Sequence, residues 1–205
     1  MHTDRKIEME YIKKEFIDDD ILLMYRCGSR AFGTSTGESD NDYVVVLRDF
    51  KGTAHRTNGK DEYFVFGLSA WKRKMEFSDY YDEYLEAHND EIMAFPNNVI
   101  CIDDSMKKIV EDYKKSFTGK MKTWLKKVCS HYEFILGLED LSKSLYHLVR
   151  IRSIVERYKA TGSFSLELDD NTLAWILDYK KASNREPFKR KIKETFEYLK
   201  KEAAD

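Results

Sequence analysis

The sequence predicts an α+β protein, with strands and helices mixed through residues 1–104 and helices filling 105–205. Three observations carry this. Short apolar runs rich in β-branched or aromatic residues (ILLMYRC, DYVVVL, EYFVFGL and NVICI) all fall before residue 103. Beyond them the apolar residues recur at helical spacing. No repeat and no Pro-, Gly- or Ser-rich linker separates the two halves.

Each element follows from its own pattern. Ile7, Tyr11, Ile12 and Phe16 line one side of a helix over 4–17. Ile21 to Cys27 reads as a buried strand that stops at Gly28-Ser29. After a small polar stretch carrying Gly33 and Gly37, Asp42 to Leu47 forms the second strand. Residues 48–60, polar and containing Gly52 and Gly59, read as a loop. Glu62 to Leu68 is the third strand, and Ser69 is placed to cap a helix from Ala70. A further helix is expected near 80–88 and a fourth strand at Asn98 to Ile102. Asp103 or Asp104 then caps a helix running to about Lys115, followed by helices near 118–137, 140–161, 171–181 and 187–202. Gly162 marks a helix stop, and Phe164 to Leu168 an exposed extended link.

Composition excludes several classes. A hydrophobic share of 42% and an aromatic share of 14% argue against disorder. No apolar run reaches the roughly 20 residues needed to span a bilayer, and the charged N-terminus carries no signal-peptide core. A cytoplasmic protein is expected. Cys27, Cys101 and Cys129 have neither disulfide nor metal-ligand spacing. A net charge of −2 rules out a uniformly basic nucleic-acid binder. Lys114, Lys115, Lys120, Lys122, Lys126 and Lys127 nevertheless follow one another with no intervening acid, as a local polyanion patch or a solvated helix face.

The chemistry concentrates in GSRAFGTSTGESDNDYVVVL, Gly28 to Leu47. Asp40 and Asp42 stand at the mouth of an apolar strand, where charge is costly unless paired or metal-bound. In extended chain, residues two apart project to the same side. Two such carboxylates can hold Mg²⁺ together with substrate phosphates. A third acid from the next strand would complete a two-metal site. Glu62 is the natural supplier, with Asp61 beside it as the alternative, and the same group could act as general base. The Gly28-Ser29 turn exposes backbone N–H groups that can cradle phosphate, with the Ser29 hydroxyl and the Arg30 guanidinium adding contacts. Asp-x-Asp and Gly-Ser are each weak signals; their spacing between strands makes them a strong one.

This pattern of strand, Gly-Ser, ten residues, Asp-x-Asp, apolar strand and later acid resembles the DNA polymerase β-like nucleotidyltransferase superfamily. GSRAFGTSTGESDNDYVVV resembles in particular a branch of predicted bacterial and phage nucleotidyltransferases. EYFVFGLSAWKRKM is similar to the family's third strand and following helix, with Glu62 where the acid falls. AHNDEIMAFPNN is a looser match. KSLYHLVRIRSIVERYKATGSFSLEL resembles the helical-half signature Lys-x-x-x-His-x-x-Arg. The resemblance implies a small mixed β-sheet nucleotidyltransferase core over 1–104, and a helical domain over 105–205 that closes the cleft. It implies transfer of a nucleoside monophosphate from a nucleoside triphosphate, ATP among them, with Mg²⁺ or Mn²⁺ as cofactor. The acceptor hydroxyl is open between RNA or tRNA, a protein and a small molecule. The rival from another class is a non-catalytic nucleotide sensor or antitoxin-like module that kept the fold.

In the helical half, Lys143, His147 and Arg150 fall at i, i+4 and i+7 of one helix stripe. A cationic stripe suits triphosphate, Arg150 giving the most directional contact. The alternative is a solvated face with His147 a core histidine. Trp71, Trp124 and Trp175 sit among helical apolar neighbours and read as core. The absence of a Gly-rich loop ending in Lys-Ser/Thr argues against a P-loop NTPase.

Overall fold

The computed structural model describes residues 10–16, 19–77, 87–137 and 141–204. It is α+β: a five-stranded mixed sheet accompanied by helices, with helices alone toward the C-terminus. Its strands are β1 (Ile21–Arg26), β2 (Asn41–Leu47), β3 (Thr53–Asn58), β4 (Asp61–Gly67) and β5 (Val99–Ile102). They lie in the order β3-β4-β2-β1-β5. Strands β2 and β4 run parallel; the β3·β4, β1·β2 and β1·β5 pairs are antiparallel.

The chain forms two compact units. One comprises Met1–Ser78 with Ala94–Tyr113, the other Asp79–Met93 with Lys114–Asp205. Residues 87–93 therefore belong with the helices rather than with the sheet.

One face of the sheet gathers Met24, Tyr43, Val45, Leu47, Tyr63 and Val65 around Ile12 from the N-terminal helix, of which 10–15 are described. These residues alternate along their strands, so a single hydrophobic surface forms without burying the polar positions between them. The other face carries Leu23, Tyr25, Val44 and Val46, which face each other in the β1·β2 register. Helix α2 (Leu68–Glu76) supplies Trp71 there, whose Nε1–H donates to Tyr25 Oη at 3.4 Å. The remaining helices are α1 (Gly28–Ala31), α3 (Asp104–Phe117), α4 (Met121–Leu136), α5 (Tyr146–Thr161), α6 (Asp170–Lys181) and α7 (Lys189–Ala204).

Several sequence expectations need correction. Residues 48–60 are not all loop: Thr53–Asn58 is strand β3, joined to β4 by the two-residue turn Gly59-Lys60, with Gly59 at φ 64°. Its polar residues hide the strand because it is an exposed edge with little to bury. Helix α2 starts at Leu68 with no side-chain cap, because β4 runs directly into it through Gly67. Phe164 is not on an exposed link; its ring packs on Phe117 and Trp124 at 5.2 and 6.2 Å. The helix expected at 80–88 lies, but for its last two residues, outside the described residues. Trp71 and Trp124 are fully buried, while Trp175 is half-buried and stacks on Tyr179. Gly162 ends α5 in the left-handed conformation. No helix among the described residues is long and apolar enough to cross a membrane.

Candidate functional site

At the end of β1 the chain turns at Gly28 directly against Asp42. The Cys27 N–H donates to the Asp42 carbonyl at 2.8 Å. Gly28 has φ 59°, and a methyl group added there would overlap the Asp42 carboxylate, 2.9 Å from its Cγ. Glycine alone satisfies both demands. Ser29 is buried, and its carbonyl accepts the Thr34 N–H at 2.9 Å and the Thr34 hydroxyl at 3.4 Å. Arg30 is exposed and donates through Nη2 to the Ser39 carbonyl at 3.3 Å. That contact draws the loop back toward Asp40, which is exposed one residue ahead of β2.

The parallel register sets Asn41 beside Asp61, Asp42 beside Glu62 and Tyr43 beside Tyr63. Side chains alternate, so Asp42 and Glu62 share one face and the other two pairs share the opposite one. On that opposite face Asn41 Nδ2 donates to Asp61 Oδ1 at 2.7 Å, and the Tyr43 and Tyr63 rings stack at 5.2 Å. Of the two candidates for the third acid, Glu62 shares the Asp42 face and Asp61 does not.

Strand β3 adds a residue that sequence reasoning missed. His55 Nε2 lies 3.4 Å from Glu62 Oε2, and the His55 ring stacks on Phe64 with centroids 4.9 Å apart and planes at 16°. Gly59-Lys60 ahead of a strand was the signal available, since glycine in the first place of a two-residue loop favours a tight hairpin.

Among the described residues, no three His, Cys, Asp or Glu side chains come together closely enough to hold a metal ion. The fold supplies instead a carboxylate pair on neighbouring strands, Asp42 and Glu62, with Asp40 exposed just before β2. Oxygen donors of this kind suit Mg²⁺, which takes one or two protein carboxylates and fills its octahedron with waters and phosphate oxygens.

The helical unit arranges its candidates differently. Lys143 is exposed and lies on a 3-10 turn, Lys143–Leu145, ahead of α5. A 3-10 turn advances three residues per turn rather than 3.6, so Lys143 leaves the stripe its spacing suggested. His147 and Arg150 are both buried, with Arg150 at zero exposure. Arg150 Nη1 pairs with Asp90 Oδ2, also at zero exposure, and Arg150 Nε donates to His147 Nδ1 at 3.3 Å. The His88 ring meets that of His147 edge-on at 4.7 Å. Burial, then His88, Arg150, Lys180 and His131 around it, hold the His147 pKa well below the ordinary histidine value. The expected single cationic stripe is thus an exposed lysine plus a buried His-Arg-Asp cluster. Asp90 is the partner that spacing could not reveal, since it lies 60 residues from Arg150.

No protein-family model matches the chain, and no curated protein matches it.

Proposed function

We propose that the protein is a metal-dependent nucleotidyltransferase, transferring a nucleoside monophosphate from a nucleoside triphosphate to a hydroxyl with release of pyrophosphate. The observation that carries this reading is the meeting of three features at one end of the sheet. The Gly28 turn abuts Asp42, Asp42 stands in register with Glu62, and both acids face the same way. The mixed sheet is read as the core of that class of enzyme.

In this reading Gly28, Ser29 and Arg30 receive the triphosphate, the glycine admitting it closely and the arginine pairing with its charge. Asp42 and Glu62 would hold Mg²⁺ or Mn²⁺, with Asp40 just ahead of β2 as a further candidate, and the ion when bound neutralises phosphate charge. Glu62 is third ligand, or the base that accepts the acceptor's proton. The acceptor oxygen forms its bond to the α-phosphorus as the bond to the bridging oxygen of pyrophosphate breaks. Catalysis of this kind is mostly positioning and charge stabilisation. Burial of the Arg150–Asp90 pair favours a structural part for Arg150 over a triphosphate contact.

RNA, tRNA included, is the acceptor favoured by the lysine run, in which Lys115, Lys122 and Lys126 are exposed. The test is incubation with each α-labelled nucleoside triphosphate, Mg²⁺ and cell extract, comparing wild type with Asp42→Asn. Label is expected in one macromolecular band with wild type and in none with the variant. Equal labelling by Asp42→Asn overturns the reading. Mg²⁺-dependent nucleotide binding without pyrophosphate release across acceptors would instead assign the non-catalytic sensor or antitoxin-like module.

A further inference from the structure

Three adjacent strands present a row of polar side chains at one end of a sheet face. Asp42 comes from β2, Glu62 from β4 and His55 from β3. Thr57 faces Glu62 directly, so His55 reaches the carboxylate from the diagonal position two residues back. Its reach is set by a second contact. His55 stands opposite Phe64 in the ladder, and the near-parallel stacking of the two rings fixes the imidazole plane. The result is a ring whose Nε2 lies 3.4 Å from Glu62 Oε2. Glu62 Oε1 is left without a hydrogen bond or ion pair among the described residues.

We propose that His55 is a positioning residue for Glu62. Its imidazole, with Nε2 3.4 Å from one carboxylate oxygen, holds that oxygen in place, so that the other stays turned to the face shared with Asp42, ready for a divalent cation. The inference rests on the nucleotidyltransferase reading, and it deepens it by giving the third acid an orienting partner. Carboxylates that bind metal are commonly held by such outer partners, whose loss lowers metal affinity about 10- to 100-fold. Without His55 the Glu62 side chain, over a third exposed, would sample several rotamers and spend less time facing Asp42.

The experiment titrates Mn²⁺ by paramagnetic resonance in the presence of ATP, using the full chain. It compares wild type with His55→Phe, His55→Gln and Asp42→Asn, each checked for an unchanged thermal melt. His55→Phe keeps the ring on Phe64 and removes the nitrogen; His55→Gln restores an N–H near the place of Nε2. Mn²⁺ affinity is expected to fall about tenfold or more in His55→Phe and to return to within about threefold of wild type in His55→Gln. If His55→Phe binds as wild type does while Asp42→Asn loses binding, the role of His55 is overturned and the metal site stands. Equal loss in His55→Phe and His55→Gln overturns it too, since the donor is then irrelevant. If Asp42→Asn binds Mn²⁺ as wild type does, the metal-site reading fails and this inference with it.

Discussion

Glycine is required twice at position 28, once by its left-handed backbone and once by the carboxylate of Asp42 against it. Gly28→Ala should cost about 1–2 kcal/mol from the backbone conformation, with further loss from the clash. Urea denaturation measures the first effect. The nucleotide-labelling assay measures the second, because the displaced Asp42 should reduce labelling to the Asp42→Asn level. In the helical unit, Asp90→Ala removes the buried carboxylate that offsets the charge of the Arg150 guanidinium. That should destabilise the protein by about 3–5 kcal/mol, read from the shift in urea midpoint. His147 adds a pH dependence. Its folded-state pKa is held well below 6.5, so above that pH the ring is neutral whether folded or not and no stability is lost. Below 6.5 the unfolded chain takes up a proton that the folded chain refuses. Stability should therefore fall as pH drops from 6.5 toward the lowered folded-state value, by up to about 1.4 kcal/mol per pH unit. His147→Phe should flatten that slope in urea midpoints taken between pH 7.5 and 5; an unchanged slope would show that other groups set it.

Pairing of β2 with β4 separates two neighbouring acids into different jobs. A strand alternates its side chains, so Asp61 joins Asn41 and Tyr63 while Glu62 joins Asp42. Glu62→Gln is accordingly expected to abolish labelling with little change in stability. Asp61→Asn should leave labelling within a few-fold and lower the melting temperature instead. The reverse result would place the register, and with it the site, on the wrong face. Strands β1, β2 and β4 were legible because each buries apolar residues in a short run, and β5 because VICI is a short β-branched run, half-buried along its length. Strand β3 was not, since an exposed edge can be built from polar residues. The helices were legible from their apolar spacing, with boundaries off by a turn where a 3-10 segment intervenes, as at Thr118–Lys120 and Lys143–Leu145.

The whole chain divides into a sheet unit and a helical unit, each of which draws on two separate stretches of sequence. The helical unit carries the lysine run. Lys115, Lys122 and Lys126 are exposed, and no acid falls between Asp112 and Glu133. Reversing all three to Glu should weaken a gel shift with tRNA and reduce its salt dependence, since fewer phosphate counterions are released on binding. Salt-insensitive or unaltered binding would remove RNA from this surface.

Four of the five strands, most of the described helices and the Gly-Ser, Asp-x-Asp spacing could be read along the chain, because they depend on neighbours a few residues apart. Contacts between distant segments could not. Glu62 lies beside Asp42, with Asp61 turned away, because of strand pairing across 20 residues. His55 meets Glu62 because an unremarkable polar stretch happens to border β4. Arg150 is neutralised by Asp90 because residues 87–93 pack with the helices. Periodicity reports which side of an element is apolar; only the packing of elements against one another settles which polar groups meet there and at what burial.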